Sequence, residues 1–376
     1  MLKPAGSLNV SARELAQLVR FFLADGTLDG RRILSPESVA RIERSETNLA
    51  SKDGFIYGYG LGNAIFPDSG PTFRGHNGQI DSFTAVYGYN RRSNSGYVVM
   101  ANGGAGGDAD FGSPIAHLIQ SYLTRRIVMQ PRPIVRLEPA TLDRYTGFYR
   151  VNTPPNAMLQ PYVEILSTIY VTGENDKITL QGIGGGSEYF PVSDHLFRRL
   201  DREDPGIAFV EDGGDIYRLN SFSAAVREPV WIVAGEVLVS AVLLLGAIVG
   251  IIMLIPWLYF AGRGRLAERG GLFMRVAPLA STVMLGALLA MPLMVIQGSN
   301  TSALHQLSDV GPYSLTILAA SILFPLLALA GLVLAVRNAD ARGVVRGYVV
   351  VNSLALVIVA AYLAAIGWIP MQSWTM

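Results

Sequence analysis

No cysteine occurs in the chain, which excludes disulfides, thiolate zinc sites and a cysteine nucleophile. Lysine is nearly as scarce, with Lys3, Lys52 and Lys177 the only three. The four histidines, His76, His117, His195 and His305, show no His-x-x-x-His or His-x-x-Glu spacing, so no metal centre is expected. A net charge of +1 lacks the long-range pull that nucleic acid binding needs, and a nucleic acid partner is not expected. Charge itself almost disappears after Glu228, where only 11 of the 59 charged side chains are found. With half of the residues hydrophobic, that asymmetry divides the chain into a polar first part and an apolar second part.

The second part, residues 229–376, contains four apolar runs, about 230–260, 272–296, 313–336 and 344–369. Each exceeds the ~20 residues that cross a hydrocarbon core as a helix, and none has the polar face of a soluble bundle helix. All seven arginines of this part lie in or beside two connections, Arg263 to Arg275 and Arg337 to Arg346. Cationic side chains near span ends resist translocation, so both connections are expected in the cytoplasm and the polar part outside. The four tryptophans, Trp231, Trp257, Trp368 and Trp374, are expected at headgroup level. Glu236 lies near the outer end of the first span, within reach of water, and no discontinuous helix pair points to transport. The expected partner is a lipid bilayer, and the expected place is a bacterial cell membrane with the polar part on its periplasmic or extracellular face.

In the polar part, Ser11-Ala12-Arg13-Glu14 is a capping box. Leu15, Leu18, Val19, Phe22 and Leu23 follow at helical spacing, predicting a helix over 12–24 that Asp25-Gly26 ends. Ser35-Pro36 opens a second helix. Residues 72–78, 83–89 and 97–101 read as an antiparallel meander, and 111–125 returns to a helix, so residues 1–128 form an α+β layer. The proline-rich stretch 129–141 reads as a linker. Residues 142–222 carry many short alternating segments and read as a small all-β barrel or sandwich. The glycine clusters Gly103 to Gly107 and Gly182 to Gly186 are not followed by Lys-Ser/Thr, so they read as flexible loops and no cofactor is expected.

Four segments in one order, Pro4 to Arg20, Arg32 to Val39, Tyr57 to Gly62 and Gly75 to Phe83, resemble the serine β-lactamase/penicillin-binding protein family, in particular its class C and esterase-like hydrolases. Leu142 to Tyr149 looks like the opening strand of a small C-terminal domain attached to many of them. The resemblance implies a partial β-lactamase-like sheet, with His76-Asn77-Gly78 matching the family's third motif. It further implies that His76 assists the proton network or recognises a substrate carboxylate, that Asn77 contacts substrate, that Gly78 lets substrate lie against the strand and that the Gln79 N–H forms half of an oxyanion hole. Ser82 departs from the glycine common in the family at that place. Ser-x-x-Lys and Tyr-x-Asn are missing, and Ser7-Leu8-Asn9 reads as a helix lead-in.

The expectation is therefore a membrane-anchored serine hydrolase of peptide, ester or β-lactam acyl groups, inactive as this chain alone. No export signal precedes the capping box, so the expected chain is one that has lost its N-terminal portion, leaving the apolar faces of the first two helices exposed. The alternative is a non-catalytic outer module, tethered by four spans, that binds cell-wall peptide or a protein partner.

Overall fold

The computed structural model describes residues 8–46, 48–66, 70–80, 83–102, 112–153, 159–174, 176–221, 223–264, 271–297, 306–337 and 343–375. Lys3, Ser7, Ser82, Gly103 to Gly107, Arg265, Arg269, His305 and Arg342, singled out above, lie outside them. The chain forms two compact units, residues 1–230 and 231–376, and the whole is a mixed α/β protein with a closed barrel and four long apolar helices.

Helix α1 (Ala12–Leu23) begins at the capping box: Ser11 Oγ accepts the Glu14 N–H, and the Glu14 carboxylate accepts the Ser11 N–H at 2.7 Å. A short hairpin, β1 (Thr27–Leu28) and β2 (Arg31–Arg32), leads to α2 (Pro36–Glu43), capped by Ser35 with proline in its first turn. The meander follows as β3 (Gly58–Tyr59), β4 (Ala64–Phe66), β5 (Phe73–Ile80), β6 (Phe83–Asn90) and β7 (Ser95–Asn102), one antiparallel sheet in that order, and then α3 (Gly112–Thr124).

The apolar faces of α1 and α2 are not exposed, contrary to expectation. Leu15, Val19, Phe22 and Val39 are buried with Tyr87 and Tyr89 of β6, and the Phe22 and Tyr89 rings stack at 5.0 Å. The helices find their partner in the sheet itself, each buried side chain contributing about 1.5–3 kcal/mol. Beneath them Glu43, 8% exposed, accepts from Tyr89 Oη at 2.6 Å and from Arg91 at 2.8 Å, and Asn63 donates to Tyr89 Oη.

Beyond α4 (Pro139–Tyr145), β8 (Gly147–Val151), α5 (Gln160–Leu166), β9 (Ile169–Glu174), β10 (Lys177–Gly182), β11 (Gly185–Pro191), β12 (Leu196–Arg198), β13 (Ile207–Asp212), β14 (Asp215–Leu219) and β15 (Ala224–Glu228) close an antiparallel eight-stranded barrel. Three sequence expectations change. Two stretches of the region read as all-β, the one into Tyr145 and Gln160–Leu166, are helical: Leu142 and Tyr145, three residues apart on one helix face, join the barrel core, and Pro161 opens α5 in its first turn. Gly182 to Gly186 is the β10–β11 hairpin rather than a loose loop, with Gly182 paired to Gly185. The barrel also runs past the expected bound at residue 222, since β15, short and alanine-rich, pairs with both β14 and β8 and closes it.

The second unit consists of α6 (Val230–Gly262), α7 (Gly271–Gln297), α8 (Pro312–Arg337) and α9 (Gly343–Ala365), each long and apolar enough to cross a membrane. Helix α6 exposes most of its surface, and its buried residues are Gly246 and Gly250. A methyl group built on either would overlap the Asn352 or Tyr348 side chain of α9, so this Gly-x-x-x-Gly face admits polar side chains directly against its backbone. The last span ends at Ala365, short of the expected Ile369, because Gly367 turns left-handed at φ 80° and Trp368 N–H closes back on Leu363 O at 2.7 Å. Trp368 is consequently fully buried. The tail then folds onto the bundle, with Met371 N–H on Ser321 Oγ and Ser373 Oγ on Leu307 O.

Two outcomes follow from this packing. Replacing Gly246 with Val should destabilise the helix bundle by about 1–3 kcal/mol, measured by unfolding the full chain in mixed micelles, because Asn352 has no room to withdraw. Burial pushes the Tyr87 hydroxyl up to about 12 and raises those of Tyr89 and Tyr149 further, in Tyr89 with help from the Glu43 carboxylate. Unfolded tyrosine ionises near ~10. The folded state therefore holds these protons more tightly, and the first unit should keep its stability below that pH and lose it as pH rises through about 12. Ultraviolet titration should show a delayed tyrosine fraction whose ionisation coincides with loss of β-sheet circular dichroism.

Candidate functional site at the end of strand β5

Strand β5 carries the four residues that the sequence singled out. Its ladder with β6 runs from Arg74 to Ile80, pairing His76 with Tyr87, Asn77 with Val86, Gly78 with Ala85 and Gln79 with Thr84. Its ladder with β4 is shorter and stops at Gly75, which pairs with Ala64. From His76 onward, among the described residues, no strand runs along the other side of β5. The first half of β5 is therefore sheet interior and the second half is rim: Phe73 is buried, His76 is half-buried, and Asn77, Gly78 and Gln79 are exposed.

At His76 the geometry selects a tautomer. Nδ1 lies 2.6 Å from the Asn77 carbonyl oxygen, and a carbonyl only accepts, so Nδ1 carries a proton; in the neutral ring Nε2 then presents a lone pair. The Tyr59 ring of β3 packs 5.6 Å away, tilted by 58°. These are the described contacts of His76; no serine, threonine or lysine side chain is hydrogen-bonded to it, and so no nucleophile–base pair is assembled here among the described residues. A Cβ on Gly78 would meet nothing within 4 Å, so the backbone there is open to a neighbouring chain.

Two other places gather polar side chains. A shallow hollow of about 330 Å³ lies against β11 and the loop after β12, lined by Gly186, Glu188, Phe190, Arg199 and Asp201. Its charges are already paired, Arg199 with Asp201 at 2.9 Å and Glu188 with Lys177. No group of three or more metal-ligating side chains occurs among the described residues. His195, the other histidine near acids, has Nδ1 at 2.7 Å from Asp194 and Nε2 at 4.0 Å from Asp53.

No family model matches this chain, and no curated protein matches it. Solved structures to which it is similar include the crystal structure of SurE with D-Leu, at 18% identity and TM-score 0.31, and that of SurE, at 18% identity and TM-score 0.30. The matches cover 58% of this chain and 50% and 48% of those, so the chain spans about half the length of the structures that it matches. A likeness this distant carries no argument about chemistry.

These findings correct the expected membership in the serine β-lactamase/penicillin-binding protein family: neither comparison of sequences finds it, and the two solved structures are named as SurE, not as a β-lactamase or a penicillin-binding protein. The residues that carried the resemblance have local explanations. Ser35-Pro36 is a helix cap, Gly60 passes so close to the Ile42 carbonyl that a Cβ would overlap it, and Gly75 likewise meets the Tyr87 carbonyl across the ladder. Caps and close-packed glycines recur wherever such turns and ladders do. What the sequence did not reveal is the stop in the β4 ladder, since register is a property of paired strands.

Proposed function

We propose that this chain is a membrane-tethered binding module, with its sheet-and-barrel unit on the outer face of a bacterial cell membrane, and that it takes up an extended peptide beside β5 at His76 to Gly78. The observation that carries the reading is the mismatch of ladders, in which β5 continues past Gly75 while β4 does not. Strand addition at such a rim uses main-chain hydrogen bonds for affinity and neighbouring side chains for selectivity. Here the His76 Nε2 lone pair accepts from a donor on the peptide, Tyr59 supplies an apolar wall, and Gly78 allows close approach. Cell-wall peptide, extended and rich in main-chain donors, is the substrate class that suits an outer-face module; an extended segment of a protein partner satisfies the same contacts.

The orientation rests on Arg263 and Arg275 around the α6–α7 connection and Arg337 and Arg346 around the α8–α9 connection, with no Lys or Arg in the α7–α8 connection or the tail after Ile369. Four spans return the chain to the side from which it started, so the first unit and the tail share the outer face.

Binding of a soluble muropeptide to the full chain in detergent should be saturable, and Gly78→Tyr should weaken it at least tenfold without changing the unfolding temperature, since the added ring enters open space. Affinity unaffected by Gly78→Tyr would remove the peptide from this rim. For orientation, Asp212→Cys and Thr375→Cys should react with an impermeant maleimide applied to intact cells, and Gly264→Cys should not; all three positions are exposed, and the background contains no thiol. The inverse labelling pattern would place the first unit in the cytoplasm.

A further inference from the structure

The lumen of the barrel is apolar, walled by Tyr149, Val171, Ile178, Ile207 and Phe209. Arg218 interrupts it. On β14 it follows by two residues Ile216, which packs on that core, and it stands directly opposite Phe209 on β13 and Ala225 on β15, both core members. Residues opposite one another across an antiparallel ladder share a face, so the Arg218 side chain leaves its strand on the lumen side. Its neighbours Tyr217 and Leu219 occupy the outer face, in a cluster with Phe55 and Tyr57 of the sheet layer.

Arg218 is 6% exposed, and its Nε has no hydrogen-bond partner. Arg150, as deeply buried, donates to Thr168 Oγ1, and the half-buried Arg74 and Arg202 also leave Nε without a partner. Arg198 donates to the Arg132, Arg199 and Arg202 carbonyls, and the better-exposed Arg91 and Arg92 grip Glu43 and Glu203. Around Arg218 the ionisable groups are the hydroxyls of Tyr189 and Tyr149, and no carboxylate among the described residues pairs with it. Burial pulls its pKa below the usual arginine value, but a guanidinium does not give up its proton in a protein, so the charge persists without a counter-ion. Arg218 lies one residue from the end of β14, at the barrel end where β8 runs into the segment leading to α5: there Asn152 N–H bonds Ala224 O and Val151 N–H bonds Ser167 Oγ. The β10–β11 hairpin joins the same end, and Cβ atoms on Gly184 and Gly185 would meet nothing within 4 Å.

We propose that Arg218 anchors a ligand site in this end of the barrel, and that its ligand is a carboxylate with a short apolar tail. One guanidinium is neutralised by one negative charge. A carboxylate matches its planar fork of donors, whereas a phosphate dianion would leave a second charge uncompensated against apolar walls. Small eight-stranded barrels have room for side chains and at most one small ligand, so the tail is short. This inference is independent of the peptide rim on β5.

The test is thermal unfolding of the full chain in detergent, followed through the near-ultraviolet dichroism of its tyrosines. Sodium butyrate and inorganic phosphate are titrated in turn at constant ionic strength. Butyrate should raise the unfolding temperature of the wild type saturably, by about 4 °C at ten times the half-saturating concentration, and phosphate by less than a quarter of that. Arg218→Met should unfold at or above the wild-type temperature without ligand and should not respond to butyrate, while Arg218→Lys should respond more weakly than wild type. The proposal is overturned if butyrate leaves the wild type unmoved, if Arg218→Met responds as wild type does, or if phosphate matches butyrate. A sharp drop in stability of ligand-free Arg218→Met would also overturn it, by showing that Arg218 already has a structural partner.

Discussion

The first unit depends on one apolar contact, between Phe55, Tyr57 and Ile65 of the sheet layer and Leu196, Ala208 and Leu219 on the outer face of the barrel. A closed barrel needs nothing outside itself to satisfy its backbone, and a five-stranded sheet with helices on it can bury a core of its own. What joins them is the alternation of β12, β13 and β14, in which Phe197, Ile207 and Phe209 belong to the inner core while Leu196, Ala208 and Leu219 between them belong to the cluster shared with the sheet layer. Strands that are apolar on both faces demand a second layer, and the segment from Ala50 to Ile65 supplies it.

Polar contacts then fix the orientation that burial leaves loose. Glu203, 7% exposed, accepts from Arg92 at the β6–β7 turn and from the Gln130 backbone, and its own carbonyl accepts from Arg132 N–H. The proline-rich stretch is thereby strapped between the two layers. Such a buried carboxylate is costly to desolvate and is tolerated because its donors are already in place, which makes it a device for specificity more than for stability.

The membrane unit obeys different rules, since apolar surface gains little by turning from lipid to a neighbouring helix. Its contacts accordingly use small and polar residues. Gly246 and Gly250 bring α6 onto Asn352 and Tyr348, Ser281 donates to the Phe324 carbonyl at 2.7 Å, and Ser321 holds the tail. In this unit glycine and serine positions carry the packing information that leucine and phenylalanine carry in the first.

Much was legible from the sequence. The four spans followed from length and hydropathy alone, and the first helix from a capping box and a 3.6-residue period, because those signals are local and each element satisfies its own backbone. That residues 142–222 carry barrel strands was readable for the same reason, whereas the helices α4 and α5 among them were not. The partnership of α1 with β6, the closure of the barrel by the unnoticed β15, the stop of β4 beside His76 and the burial of Trp368 were not. Each depends on which distant segment lies alongside, and a strand or helix face reads the same whichever partner covers it. The same limit explains the family resemblance. Caps, tight glycines and a His-x-Gly on a strand record local geometry, whereas a catalytic constellation exists only where tertiary structure brings a nucleophile to a base. The sequence by itself determined that this protein has an apolar membrane half and a folded polar half; tertiary structure alone decided that His76 stands at a half-open strand rim and that Arg218 faces a lumen with no counter-ion among the described residues, because register and closure are properties of pairs of segments.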